Sequence, residues 1–501
     1  MVGEESSYRF TEFIRDNHFK ILTGIVFVIG IVLRLLFINT REIAYDDAFS
    51  YFLARQPFPV IVSGTAADTM PPLYYFLLHC WIWISEELWF LRLLNVIINM
   101  SSAIIVYFIA KDLFNKKAAL IALFLFVISP FQVYHSQELR MYSLLLFGQM
   151  GFTYSVMKIS LLNTKHQKLW MVLAVLFGCI AMYSHNLGVI GIISVNILFI
   201  FEKVRKQFKK ILIIQFFVLI FSLPWFYYLP QQIEKVQQAF WTNPPGLAEV
   251  LQAFLTLFAF LPMPKLSMAI VLIMLLSMIV VLTIYLFRTE SKTARMLILF
   301  ILFPPVLLFL LSYIVQPVFV PRIFISSAAW AFILCGKYLE EGIKFPVGKL
   351  NFMFLVIISV LSLPHLYLFE SFPRSDFRGL SSHLKSLEDN GALIIHDNKL
   401  SFFPTMFYGE LNNQNFIRDV PGSPNDTLAK ESELALGFES VTGIEEFLDE
   451  EEIVFVVFQR AIDEFSDQGM NHPVLAELQK NFSEDYSINS ISDLNIYHFH
   501  K

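Results

Sequence analysis

Charge is scarce in this sequence. Asp, Glu, Lys and Arg make up 16% of the 501 residues against 56% apolar ones, which excludes a string of ordinary soluble domains for most of the chain. Cysteine is scarcer still: Cys80, Cys179 and Cys335 all lie in apolar runs, so no disulfide framework is indicated. There is no internal repeat and no basic stripe of the kind that tracks nucleic acid, so no nucleic-acid partner is expected.

What is abundant fits a polytopic helical membrane protein. Mean hydropathy is +0.59, and 53 Phe, 16 Met and 22 Pro suit an environment that tolerates bulky apolar side chains throughout and lets neighbouring helices satisfy backbone groups freed by proline. The net charge of −5 hides two objects: residues 1–369 carry +10 (28 basic, 18 acidic) and residues 370–501 carry −15 (9 basic, 24 acidic). The expected organisation is a basic membrane body, 1–369, with a first external loop at 39–93, followed by an acidic soluble α/β domain, 370–501.

Apolar stretches long enough for a hydrocarbon slab of about 30 Å occur at 21–38, 94–110, 118–134, 141–157, 170–183, 187–201, 211–229, 268–287, 296–314, 323–336 and 350–369, giving about eleven spans. The first lacks a small-residue cleavage site and reads as a retained anchor. Alternate connections collect Lys and Arg: Lys111, Lys116 and Lys117; Lys165 and Lys168; Lys203 to Lys210; Arg288, Lys292 and Arg295; Lys337, Lys344 and Lys349. By the positive-inside rule these face the cytoplasm, so the N-terminus is inside and the acidic domain outside a plasma membrane. The apolar run 71–84 is too short to cross; counting it would also put Lys111 on the wrong side, so it reads as an interfacial or re-entrant helix. In the tail, short apolar runs at 392–396, 453–458 and 494–499 predict strands, 376–388 and 473–480 predict helices, and 409–440 reads as loop-rich.

The few polar residues expected on the outer face are the candidates for chemistry. Asp46 and Asp47 follow the first span; adjacent carboxylates repel, so they serve a cation, a proton or a substrate hydroxyl, or else cap the helix that follows. Pro71, Pro72 and Tyr74 open the interfacial helix, where first-turn prolines and an aromatic anchor are the structural alternative. The short turn after the third span holds His135, Glu138, Arg140 and Tyr142. This is either a local ion pair or a carboxylate and a guanidinium for substrate. His185, in a tight turn, and Arg322, which could snorkel to headgroups, complete the set. Polar groups gathered on one face above an apolar body suit a substrate with a charged head and a lipid tail. A transporter would place ionisable groups in mid-span; a scaffold recruiting partners through its acidic tail is the third alternative.

Five motifs together resemble the GT-C superfamily of integral membrane glycosyltransferases, in particular bacterial relatives of the protein O-mannosyltransferases and the lipid A aminoarabinose transferase (glycosyltransferase family 39-like). They are the acidic pair Asp46-Asp47, the Pro-Pro-Leu-Tyr segment from Pro71 to Tyr74, the Arg-Leu-Leu-Asn run from Arg92 to Asn95, the Gln-Glu-Leu-Arg-Met-Tyr run from Gln137 to Tyr142, and Pro321-Arg322. The resemblance covers about the first 340 residues by order and topology. It implies transfer of a sugar, hexosyl or pentosyl, from a polyprenyl-phosphate donor to a glycan, lipid or protein acceptor on the outer face. The implied roles are a base at Asp46 with Asp47 beside it, a lipid-phosphate site at Arg140, Arg322 and His185, and a substrate groove at Tyr45, Pro71, Pro72, Tyr74 and Tyr142. Glu138 would orient the acceptor or join Asp46 in holding a divalent cation; no other cofactor is implied. Two positions depart from the family pattern: Met70 stands where relatives carry a basic residue or His, and Ile323 where they carry Tyr.

Overall fold

The computed structural model describes residues 2–162, 164–238, 242, 244–259, 264–288, 291–342, 345–368, 375–409, 411–423 and 425–501. The boundary expected at 369/370, and Lys344, lie outside these. The chain forms two compact units: 1–38, 87–227 and 242–371 make one; 39–86, 228–241 and 372–501 make the other. Residues 39–86, most of the loop grouped above with the membrane body, thus pack with the C-terminal residues.

The first unit is helical and multi-pass. Eight described helices are long and apolar enough to cross a membrane, nine if one bent pair counts as a single span. The other two expected spans differ for physical reasons. Tyr142–Ser160 has 19 residues, about 28 Å at 1.5 Å per residue, but carries Gln149, Thr153, Ser155 and Lys158. It can do so because it is buried along almost its whole length, so Gln149, Thr153 and Ser155 meet protein and not lipid, while the half-buried Lys158 near its end pairs with Asp112 at 2.6 Å. The segment after His185 winds as a 3-10 turn, Asn186–Gly188, a short α-helix, Val189–Ser194, and a second 3-10 stretch, Val195–Ile200. Gly188, Gly191, Ser194 and Asn196 disfavour a regular helix, and the greater rise of 3-10 winding lets the segment reach roughly 27 Å.

The bent pair is Lys116–Ile128 and Pro130–Ser136, at 59° to one another. Asn115 starts the first helix by accepting from the amides of Lys117 and Ala118 at 3.0 and 2.9 Å. Pro130 has no amide hydrogen and cannot continue it; Ser129 restarts the chain by capping Gln132. The break leaves the Val127 carbonyl without a helical donor, and the buried guanidinium of Arg34 supplies one at 3.0 Å. Arg34 also donates to Asn99 Oδ1 at 3.0 Å, Asn99 to Gln132 Oε1 at 3.2 Å, and Gln137 to the Arg34 carbonyl at 2.8 Å. A polar network inside an apolar unit is tolerable only when its members bond one another, and this one fixes where the chain emerges at Gln137.

Small residues let the helices approach. A Cβ on Gly148 would sit 2.6 Å from the amide nitrogen of Ala181, so Tyr142–Ser160 and Gln167–Ser184 touch backbone to backbone, as membrane helices do where packing replaces the hydrophobic effect.

The second unit contains a five-stranded sheet: β1 (Leu393–His396), β2 (Gln414–Phe416), β3 (Glu452–Phe458), β4 (Ser483–Ile491) and β5 (Leu494–His500), in the order β2-β1-β3-β5-β4. β2, β1 and β3 are parallel, and β5 and β4 complete the sheet antiparallel. The two inner parallel strands, β1 and β3, carry the apolar runs 393–395 and 453–458 without alternation because both faces are covered. Ile394, Val454 and Val456 face Phe377, Leu380 and Leu384 of the helix Phe377–Glu388; Leu393, Ile395 and Phe455 face Leu478 and Phe482. Asp376 caps the first of these helices at the Gly379 amide, 2.8 Å. The expected strands and helices are all present. The loop-rich region 409–440 also holds β2 and a helix, Lys430–Leu436.

Candidate functional site

In the first unit the turn that follows Pro130–Ser136 and three helix ends gather one polar cluster. Asn95, two turns inside the helix Leu88–Leu113, donates to the carbonyls of Glu138 and Arg140, the latter at 3.0 Å, and Arg92 donates to the Ile38 carbonyl at 2.6 Å. The Arg-Leu-Leu-Asn run thus ties down the end of the first span and the turn that carries Glu138 and Arg140. The sequence reading noted the run only as part of a resemblance; the signal that it positions something was the presence of Arg and Asn within an apolar helix.

Within that turn the Glu138 carboxylate accepts from His135 Nδ1 at 2.7 Å, which is the local pair weighed as an alternative. Arg140 and His185 are buried. Tyr142 lies at the centre: its ring is 5.2 Å from the His135 ring, 6.2 Å from that of His185, and 5.4 Å from the guanidinium carbon of Arg322. His185 closes the helix Gln167–Ser184 and accepts the Leu187 amide on Nδ1 at 3.0 Å, which leaves its proton on Nε2. Burial, reinforced by the positive charges of Arg322 and Arg140, pushes its pKa down to about 3, so the imidazole is neutral at physiological pH. Gly188 makes this turn possible: a Cβ there would stand 2.1 Å from the Ala181 carbonyl oxygen.

The four expected residues Glu138, Arg140, His185 and Arg322 are therefore brought together with Tyr142. They share one end of the helices. Lys158, Lys168 and Lys337 lie toward the other end of Tyr142–Ser160, Gln167–Ser184 and the 3-10 turn and helix running from Pro321 to Gly342. The enclosed cavity lined by Gln149, Thr153, Ser194, Ser326 and Trp330 is elsewhere and, at about 10 Å³, admits one water. Among the described residues no three His, Cys, Asp or Glu side chains are grouped as a metal site requires.

The remaining expected residues belong to the second unit. Asp46 and Asp47 lie in the first turn of the helix Tyr45–Ala54, whose N-cap position is held by Ala44. There the partial positive charge of the helix N-terminus favours both anions; Asp47 is buried and Asp46 partly so. Tyr45 packs edge-on to Phe403 at 5.5 Å. Pro71 and Pro72 are buried, and Tyr74 opens the helix Leu73–Ile82 fully buried against Tyr75. This helix is as short as expected and leaves Trp83 and Ile84 exposed just beyond it, side chains suited to a headgroup layer. The helix Leu229–Gln238 joins the unit through Gln232, which donates to the carbonyls of Thr65 and Ala66 at 3.1 and 3.2 Å.

Comparison with known proteins agrees with this architecture. Residues 69–228 match the family described as dolichyl-phosphate-mannose-protein mannosyltransferase. Among solved structures, the chain resembles ArnT from Cupriavidus metallidurans bound to undecaprenyl phosphate, with TM-score 0.61 and 11% identity over 95% of this chain and 97% of that one. The apo state of the same protein gives 0.59 and 12% over the same shares. No curated protein sequence matches. The chain has the ArnT-like fold and resembles the GT-C superfamily of membrane glycosyltransferases.

Proposed function

We propose that this protein transfers a sugar from a polyprenyl-phosphate donor to an acceptor at the outer face of a plasma membrane, with the C-terminal α/β domain outside. The supporting observation is the cluster of Arg140, Arg322 and neutral His185 around Tyr142. Two guanidinium groups beside an imidazole held neutral are the complement of an anion, and a lipid phosphate brings that anion to the end of a helical membrane unit. His185, with its proton on Nε2, is a donor that costs no additional positive charge.

In this reading Asp46 accepts the proton of an acceptor hydroxyl as its oxygen bonds to the anomeric carbon. The bond from that carbon to the phosphate oxygen breaks, and the polyprenyl phosphate leaves with the electron pair. One displacement inverts the anomeric carbon. Arg140 and Arg322 stabilise the charge that grows on the departing phosphate. In the second unit Asp47 supports the negative potential beside the base, and Tyr45, Pro71, Pro72 and Tyr74 contact substrate; in the first, Glu138 orients the turn through His135 and Tyr142 contacts substrate.

The test is release of undecaprenyl phosphate from a panel of undecaprenyl-phosphate-linked hexoses and pentoses, with cell-envelope extract as acceptor. Asp46→Asn should lower turnover by ~10²- to 10⁴-fold, the range for loss of a general base, with an unchanged melting temperature. Full turnover in that variant removes Asp46 as the base. Movement of intact donor across a vesicle membrane without covalent transfer would identify a transporter.

A further inference from the structure

The second unit shows how the helix bearing Asp46 is held. β1 ends at His396 and β2 at Phe416, and Lys399 and Asp419 follow each end by three residues. Lys399 is buried; its ammonium donates to Asp419 Oδ2 and to the Asn425 carbonyl, both at 2.5 Å, and lies 5.8 Å from the centre of the Tyr45 ring. The pair therefore bridges the carboxyl ends of adjacent parallel strands, the rim where open α/β sheets ordinarily take ligands. Here that rim carries Tyr45. The same helix is gripped along its length: Tyr51 packs on Phe407 at 4.8 Å and Phe52 on Phe438 at 5.1 Å. The chain leading into it is tied by Glu42 to Arg378 at 3.2 Å and by the Ile43 amide, which donates to the Tyr408 hydroxyl at 2.9 Å.

The aromatic contacts at Tyr51 and Phe52 hold the later turns of the helix. A buried ion pair adds little net stability over apolar packing of the same volume. What it adds is direction: an ammonium fixed by two oxygens tolerates the Tyr45 ring over a narrow range of positions. We propose that the C-terminal domain positions the base, with Lys399 as the positioning residue that sets the first turn of Tyr45–Ala54, and hence Asp46, through the Tyr45 ring. This rests on the reading of Asp46 as the base. It gives the acidic domain a part in turnover that the donor-phosphate cluster does not supply.

The experiment uses the full chain in lipid nanodiscs and two readouts, amide hydrogen exchange over residues 45–54 and steady-state release from the undecaprenyl-phosphate sugar that the wild type turns over. Lys399→Met should speed exchange over 45–54 at least ~tenfold while β1 and β3 stay protected. It should also lower kcat by ~10- to 100-fold, since a misplacement of about 1 Å costs on that order, with the donor KM within about twofold of wild type. Lys399→Arg, which keeps the charge and the stem, should restore both. If Lys399→Met also exposes β1 and β3, Tyr45→Leu decides, because it leaves the Lys399–Asp419 pair in place. Wild-type exchange over 45–54, or wild-type kcat, in the folded variant overturns the proposal. An active Asp46→Asn would sink the assignment of the base, whereas the exchange data would still report whether Lys399 holds the helix.

Discussion

Removing the guanidinium of Arg322 perturbs the proposed phosphate site without touching the base. Arg322 sits in the 3-10 turn Pro321–Phe324, 5.4 Å from the Tyr142 ring, and its charge helps depress the pKa of His185. A hydrogen bond between ionised partners contributes about 1.5–3 kcal/mol, so Arg322→Met should weaken binding of undecaprenyl phosphate by ~10- to 150-fold. Arg322→Lys keeps the charge but loses the planar fork and should fall between variant and wild type. Arg140→Met should cost a similar amount, and the double variant less than the two combined, since both groups act on the same imidazole. Binding can be followed in nanodiscs by intrinsic emission, because Trp225 donates to Asn186 Oδ1, next to His185, at 2.9 Å. Lys206→Met, at an exposed residue paired with Glu202 at 3.2 Å, is the control and should bind as wild type does. An Arg322→Met protein within twofold of wild type would refute the assignment of the anion to this cluster.

The low pKa of His185 makes stability depend on pH. The unfolded chain takes up the proton near pH 6.5 and the folded one near 3, so stability should fall as pH drops through that window, by on the order of 1 kcal/mol per unit. His185→Asn should flatten this part of a melting-temperature profile, and an unaltered profile would count against the buried neutral imidazole. Gly188→Ala drives a methyl group into the Ala181 carbonyl, an overpacking worth about 1–3 kcal/mol. Its melting temperature should drop and phosphate binding weaken with it, whereas unchanged melting would show that the turn can relax.

Hydropathy and charge, read along the chain, were enough for the membrane helices, the too-short helix at Leu73–Ile82, and the α/β character of the tail, because each is a local pattern of side-chain polarity. The same reading picked out Glu138, Arg140, His185 and Arg322, since an ionisable residue on a short turn beside an apolar span stands out in one dimension. Partners do not. That Arg34 serves the carbonyl of Val127, ninety-three residues on, where the chain breaks at Pro130, that Asn95 holds the turn of Glu138 and Arg140, and that Tyr45 rests on Lys399 depend on which faces meet after packing. Periodicity does not encode those distances. The sheet order is of the same kind: short apolar runs announce strands, but that β1 pairs with both β2 and β3 emerges only in the folded chain. Linear chemistry therefore determined what kind of protein this is and which side chains were available to it. Tertiary structure decided which of them act on one another, since buried charges and amides take their properties from neighbours distant in sequence.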